Sequence, residues 1–199
     1  MVDKVLVAIT GASGALYAEK LILELITRVS RVYIVCSTTG KSMIPYELKS
    51  SSPLNLILNK RFEHEHAKKI RIFENDDLYA PVASGSSVAD AMIVTPCSMG
   101  TLARIRTGVS QTLIERAADV SMKEGKTLVL CPRESPLSTL HLENMLELSR
   151  MSVRILPLMP PFYQHPKSIE DLIDFMTGKV LETLGCKHQL YKPWNERRC

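Results

Sequence analysis

Val5-Leu6-Val7-Ala8-Ile9-Thr10-Gly11-Ala12-Ser13-Gly14-Ala15 is the stretch whose reading decides the fold. Five consecutive apolar residues, three of them β-branched, specify a strand covered on both faces. They break into a loop of small residues, and from Ala15 to Val29 the apolar positions recur at helical spacing. A strand that turns through glycines into a helix presents unpaired backbone N–H groups where a phosphate can approach closely. The loop is neither GxGxxG nor GxxxxGKS/T, so it does not name the phosphate, and a turn without ligand fits this piece equally well.

The same alternation recurs along the chain. Arg31–Cys36 reads as a strand, Ser37-Thr38-Thr39-Gly40 as the loop at its carboxyl end, and Gly40–Leu48, carrying Glu47, as a short helix. Residues 50–69 have weak periodicity, and Ile70–Phe73 is a short strand. A small polar loop, Tyr79–Ser87, contains Ser84, Gly85 and Ser86 and leads into the strand Ala91–Thr95. Pro96-Cys97-Ser98-Met99-Gly100-Thr101 then sets hydroxyl residues at a helix start, as in the first unit. Beyond it come a helix over Gln111–Lys123, a strand over Thr127–Cys131 and the loop Pro132–Leu137 with Arg133 and Glu134. A helix over Ser138–Arg150, with Ser138 as N-cap, a strand over Val153–Leu156, a proline-rich loop enclosing Phe162-Tyr163 and a helix over Ser168–Leu184 complete the pattern.

Strands alternating with helices predict a single α/β domain: a doubly wound, mainly parallel sheet with helices on both faces. In such sheets ligands bind outside the carboxyl ends of the strands. The loops at Gly11–Gly14, Ser37, Ser98–Thr101 and Arg133/Glu134 are therefore expected to face one crevice.

Composition bounds the function classes. The chain has 199 residues, 45% of them hydrophobic, enough for one sizeable core. A net charge of +4 and scattered basic clusters (Lys60/Arg61, Lys68/Lys69/Arg71, Arg197/Arg198) without interleaved aromatics read as solvated faces and exclude nucleic-acid binding. Cys36, Cys97, Cys131, Cys186 and Cys199 form no CxxC and have no histidine at metal-ligand spacing, so we expect reduced thiols, a cytoplasmic setting and no metal. No apolar run reaches membrane-spanning length, and the charged, strand-like first residues lead us to expect no export. His64, His66, His141, His165 and His188 lack a nucleophile or metal partner in sequence and are expected to be non-catalytic. The tail 185–199, with Tyr191 and Trp194, is expected to dock on a neighbouring subunit.

Taken in order, Thr10–Gly14, Ala83–Ser86, Pro96–Leu102, Glu115–Val120, Pro132–Leu137, His141–Met145, Pro161–Tyr163 and Trp194 resemble the flavin prenyltransferase family, the UbiX-type branch of the flavin-containing cysteine-decarboxylase-like fold. The resemblance implies transfer of a dimethylallyl group from its phosphate ester to N5 and C6 of reduced FMN, serving a separate decarboxylase that uses prenylated FMN. By position it implies that Gly11, Ala12, Ser13, Ser37, Ser98, Met99, Gly100, Thr101 and Arg133 bind FMN. Tyr163 and Lys179, with Ser84, Gly85 and Ser86, match the prenyl-phosphate contacts, and Glu134, Lys123, Glu47 and Arg116 the polar groups around the reacting centre. It also implies a homo-oligomer, a dodecamer built from trimers, with part of the site at subunit boundaries. Two positions depart from the family pattern: Lys179 stands where most relatives carry arginine, and Thr112 where an asparagine is common.

The residues suit that chemistry. Breaking an allylic C–O bond leaves positive charge on carbon, which reduced flavin can take up, and negative charge on phosphate, which needs preorganised cations. No paired DDxxD motif is present to hold magnesium, whereas Arg133, Lys123, Lys179 and the Tyr163 hydroxyl can receive a monophosphate. These four are expected to converge. Glu134 is the first candidate for proton transfer and Glu47 the second. Ser13 is expected to cap the first helix as well as bind phosphate, and Arg116 could equally form a salt bridge with Asp119. The rival readings are an FMN-dependent oxidative cysteine decarboxylase and a flavin carrier without chemistry.

Overall fold

The computed structural model describes residues 2–48, 66 and 68–192. Among these, β1 (Lys4–Ile9), β2 (Arg31–Cys36), β3 (Ile70–Phe73), β4 (Ala91–Cys97), β5 (Thr127–Pro132) and β6 (Arg154–Ile155) form one sheet in the order β3-β2-β1-β4-β5-β6. Every adjacent pair is parallel. The strand order reverses between β1 and β4, the crevice where open α/β sheets bind ligands.

Alternating side chains divide the core between the two sheet faces. Val5, Val7 and Ile9 of β1 pack with Leu21, Ile22 and Leu25 of α1 (Ala15–Leu25), Ile44 of α2 (Thr38–Glu47) and Val180 and Leu181 of the C-terminal helix Ile169–Thr183. Leu6 and Ala8 face the other way. They pack with Leu102 of α3 (Met99–Arg106), Ile114 and Ala117 of α4 (Leu113–Lys123) and Leu148 of α5 (Thr139–Arg150). The C-terminal helix is α6.

Several boundaries differ from those read in the sequence. α1 ends at Leu25 rather than Val29, and α2 begins at Thr38, because Ser37 is an N-cap whose Oγ accepts from the Gly40 N–H at 3.0 Å. β4 runs on through Pro96 and Cys97, with a register irregularity after Val94. α4 begins at Leu113, and β6 is shorter than Val153–Leu156. Of the Tyr79–Ser87 loop, Ala80, Val82 and Ala83 are core residues. Ser138 and Ser168 cap α5 and α6.

Residues 185–192 fold back on α6 of their own chain. Tyr191 stacks on Phe175, centroids 4.4 Å apart, and Gly178 makes room: a Cβ there would meet Tyr191 at 2.5 Å and His188 at 2.7 Å. Trp194, His64, Cys199 and the basic pairs at 60–61 and 197–198 lie outside the described residues. No described helix is long and apolar enough to cross a membrane.

Candidate active site

The carboxyl ends of β1, β2, β4 and β5 are laced together by the loops that follow them. Thr10 Oγ1 donates to the Pro96 carbonyl and accepts from the Ser98 N–H, both at 2.8 Å, tying the β1 loop to the start of α3. The Ser37 N–H donates to the Ile9 carbonyl at 2.9 Å. Arg133, after β5, reaches across with Nε donating to the Ser13 carbonyl at 3.2 Å. Gly11, Ala12, Ser13, Ser37, Ser98, Met99, Gly100, Thr101, Arg133 and Glu134 thus lie on the loops and first turns of one rim.

Two glycines permit this closeness. A Cβ on Gly11 would come within 2.5 Å of the Thr39 Cβ and Cγ2, and one on Gly40 within 2.6 Å of the Ile9 carbonyl oxygen. Without side chains there, the first turn of α2 settles on the end of β1.

The three helices that start on this rim are not equivalent. Gly14, not Ser13, is the N-cap of α1, at φ +129°, and no side chain of its own caps the helix. The carboxylate of Glu47, at the far end of α2, does so: its oxygens accept from the Gly14 N–H at 2.9 and 3.1 Å and from the Ala15 N–H at 2.7 Å. An anion already occupies the helix end that the sequence offered for phosphate. At α3, Ser98 Oγ donates to Thr101 Oγ1 at 3.0 Å and accepts from the Thr101 N–H at 3.3 Å. The first turns of α2 and α3 carry no acidic residue, so together with Arg133 they could receive an anion.

Sequence reasoning missed the support behind α3. Glu115 is 2% exposed, pairs with Arg104 Nε, and accepts from the Gln111 and Thr112 N–H groups, each at 3.0 Å. Arg104 Nη2 in turn donates to Thr101 Oγ1 at 3.3 Å. The T-x-x-E spacing of Thr112 and Glu115 is a capping signal in the sequence, but nothing there pairs Glu115 with Arg104.

The four expected phosphate-binding groups do not converge within one chain. Lys123 is on α4, on one face of the sheet, where it pairs with Glu124 and lies beside Gly85. Lys179 is on α6, on the other face, paired with Glu182 at 2.5 Å. Tyr163 meets Phe175 edge-on with centroids 6.0 Å apart, and so belongs with Lys179. Arg133 stands at the rim. α6 runs alongside α1, with Lys20 bridging Asp174 at 2.9 Å and Arg28 Nε donating to the Lys187 carbonyl at 3.2 Å, so Lys179 lies well down from that rim. The sequence shows which charges are present but not which sheet face each helix takes.

Arg116, in the first turn of α4, donates from Nε to the Ala83 carbonyl at 3.2 Å and pairs with Asp119 at 3.0 Å. It anchors the segment that carries Ser84, Gly85 and Ser86, whose Ser84 and Ser86 hydroxyls are 3.2 Å apart. Glu134 is exposed, with Oε1 accepting from the Ser135 N–H at 3.0 Å. Beneath the rim, burial pushes the thiols of Cys36 and Cys131 up to about 12, and that of Cys97 higher still.

The flavoprotein family profile matches residues 2–181. Flavin prenyltransferase UbiX of Halalkalibacterium halodurans is 45% identical over 193 residues, 96% of this chain and 93% of that protein. The chain belongs to the UbiX flavin prenyltransferase family. As a member, it is a prenyltransferase acting on FMN. Two solved UbiX-type structures superpose over nearly the whole chain. AnUbiX (PadA1), in complex with FMN and dimethylallyl pyrophosphate, is 39% identical with a TM-score of 0.86, covering 98% of both chains. A dodecameric FMN-dependent UbiX-like decarboxylase from Escherichia coli O157:H7 is 40% identical with a TM-score of 0.84, covering 96% of this chain and 98% of that one.

Proposed function

We propose that the protein moves the dimethylallyl group of dimethylallyl monophosphate onto N5 and then C6 of reduced FMN, and that side-chain cations receive the departing phosphate without a divalent ion. The observation that carries this reading is the rim at the β1/β4 crossover. There Arg133 is fixed on the Ser13 carbonyl, the first turns of α2 and α3 adjoin, and Glu47 closes α1 to further anions. The Ser37 and Ser98–Thr101 turns would hold the flavin phosphate, and Gly11–Ser13 and Arg133 would supply contacts to the rest of the flavin. Glu134, next to Arg133, would be the group that moves the proton released when C6 is alkylated.

The donor phosphate requires more than one copy of the chain. Lys123 and Lys179 stand on opposite faces of the sheet, so a site that uses both takes them from different subunits. Exposed apolar side chains supply surfaces for such assembly: Leu142 and Leu146, one turn apart on α5, are 52% and 50% exposed, and Phe162 beside Tyr163 is 76% exposed. The dodecameric relative supports a homo-oligomer. A separate decarboxylase then takes up the prenylated flavin, and the setting is cytoplasmic.

Anaerobic incubation of the protein with reduced FMN and either dimethylallyl monophosphate or the pyrophosphate tests the reading. The expected result is a flavin heavier by one five-carbon unit, formed faster from the monophosphate and unaffected by chelator. Unchanged flavin mass with tight FMN binding would overturn the chemistry, and a faster reaction with pyrophosphate would overturn the donor.

A further inference from the structure

Glu182 is the most heavily shared carboxylate on the α6 face among the described residues. Its Oε2 accepts from Lys179 Nζ at 2.5 Å; its Oε1 accepts from the Tyr191 hydroxyl and faces His188 Nε2 at 3.5 Å. Tyr191 is held in turn by stacking on Phe175, which makes a T-shaped contact with Tyr163. His188, with a side chain only 7% exposed, tilts against Tyr191 at 5.0 Å between centroids. The arrangement is a chain of contacts that runs from Tyr163 through Phe175, Tyr191 and Glu182 to the Lys179 ammonium.

A lysine ammonium is a point charge on four rotatable carbons, with no planar fork to set its direction. Fixing it over a phosphate costs rotamer freedom unless something else holds it. We propose that Glu182, braced by Tyr191, is a positioning residue that aims Lys179 at the phosphate of the prenyl donor. This rests on the proposed role of Lys179 in donor binding and adds how a lysine performs it. The ammonium is tied on one side by Glu182 Oε2, leaving its remaining protons for the ligand. Tyr191 occupies the other carboxylate oxygen, so Glu182 cannot swing to take more of the lysine. Burial pushes the Glu182 carboxyl up, but the bonds from Lys179 and Tyr191 outweigh it and the net shift is down, keeping the brace ionised. Burial first, then the bonded carboxylate, pushes the Tyr191 phenol up, keeping it a donor.

The experiment is a set of variants in the intact oligomer: Glu182→Gln, Tyr191→Phe, Lys179→Ala, Lys179→Arg and the double Lys179→Arg/Glu182→Gln. Donor kcat/KM, FMN affinity and thermal midpoint are read for each. Losing one charge-assisted bond is expected to lower donor kcat/KM on the order of tenfold in Glu182→Gln, with a smaller fall in Tyr191→Phe and unchanged FMN affinity. An arginine carries its own fork, so in the Lys179→Arg background the Glu182→Gln loss shrinks to within about twofold. Equal losses in both backgrounds, tracking the thermal midpoint, would make Glu182 structural only and overturn the proposal. Should Lys179→Ala itself leave donor kcat/KM intact, the role of Lys179 fails and the brace has nothing to aim.

Discussion

Glu47 Oε2 accepts from the backbone N–H of Ala15 at 2.7 Å, bringing the last residue of α2 onto the first turn of α1. The carboxylate satisfies two orphan donors and neutralises a helix end, work that a Ser or Asp N-cap does locally elsewhere. Glu47→Ala should therefore cost about 1 kcal/mol in urea unfolding. Glu47→Gln keeps an acceptor oxygen and should recover most of that stability. If prenyl transfer in Glu47→Gln remains slow once stability is recovered, Glu47 carries a proton as well as the cap.

Glu115 presents the opposite case, a carboxylate that is deeply buried and threefold bonded. Glu115→Ala frees the Gln111 and Thr112 N–H groups and leaves Arg104 without its partner, with an expected loss of about 2 kcal/mol. Arg104→Ala should cost less, because the guanidinium is half exposed and Glu115 keeps both backbone donors. Denaturant melts of the two variants at pH 7 check the order.

The buried thiols set a limit on chemistry and on pH. With the Cys36 and Cys131 thiols raised to about 12, roughly one in ten thousand is ionised at pH 8. Iodoacetamide should leave both unmodified in the native protein and label them only after unfolding, as peptide mapping would show. The unfolded chain ionises these thiols near 9, and the folded one does not. Their contribution is full below pH 9 and is lost as pH rises from 9 towards 12, so stability should fall through that window.

Gly11→Ala tests the closeness of the rim and its proposed part in flavin binding. The added methyl meets the branched carbon of Thr39 rather than a flexible side-chain end, so the start of α2 must move. FMN affinity should fall by about tenfold or more in a fluorescence titration, while Thr39→Ser in the same background, lacking the methyl, should restore part of it.

Much of this was legible in the sequence. The apolar run at Val5–Ile9 and the recurrence of strand, small-residue loop and helix led directly to a doubly wound sheet, and the loops containing Ser37, Ser98 and Arg133 do share one rim. Ser13 illustrates what was not legible. Its side chain has the right type to cap α1, but the cap comes from Glu47, a third of a hundred residues along the chain, and no local pattern announces such a partner. Lys123 and Lys179 illustrate a second limit. Their charge can be read in one dimension, but the sheet face that each helix covers depends on how crossovers wind, and that separated them. The course of the segment around Tyr191 was hidden for a related reason: the missing Cβ of Gly178, thirteen positions earlier, lets it turn back on α6.

On the proposed reading, in which the donor phosphate draws on both lysines, the division of Lys123 and Lys179 between the two faces of one sheet would make catalysis a property of the assembly. Subunits carrying Lys123→Ala and subunits carrying Lys179→Ala, each inactive as a pure oligomer, should complement one another when dissociated and reassembled together. Mixed oligomers would contain some pockets that draw both lysines from undamaged copies, and turnover would return in proportion to their number.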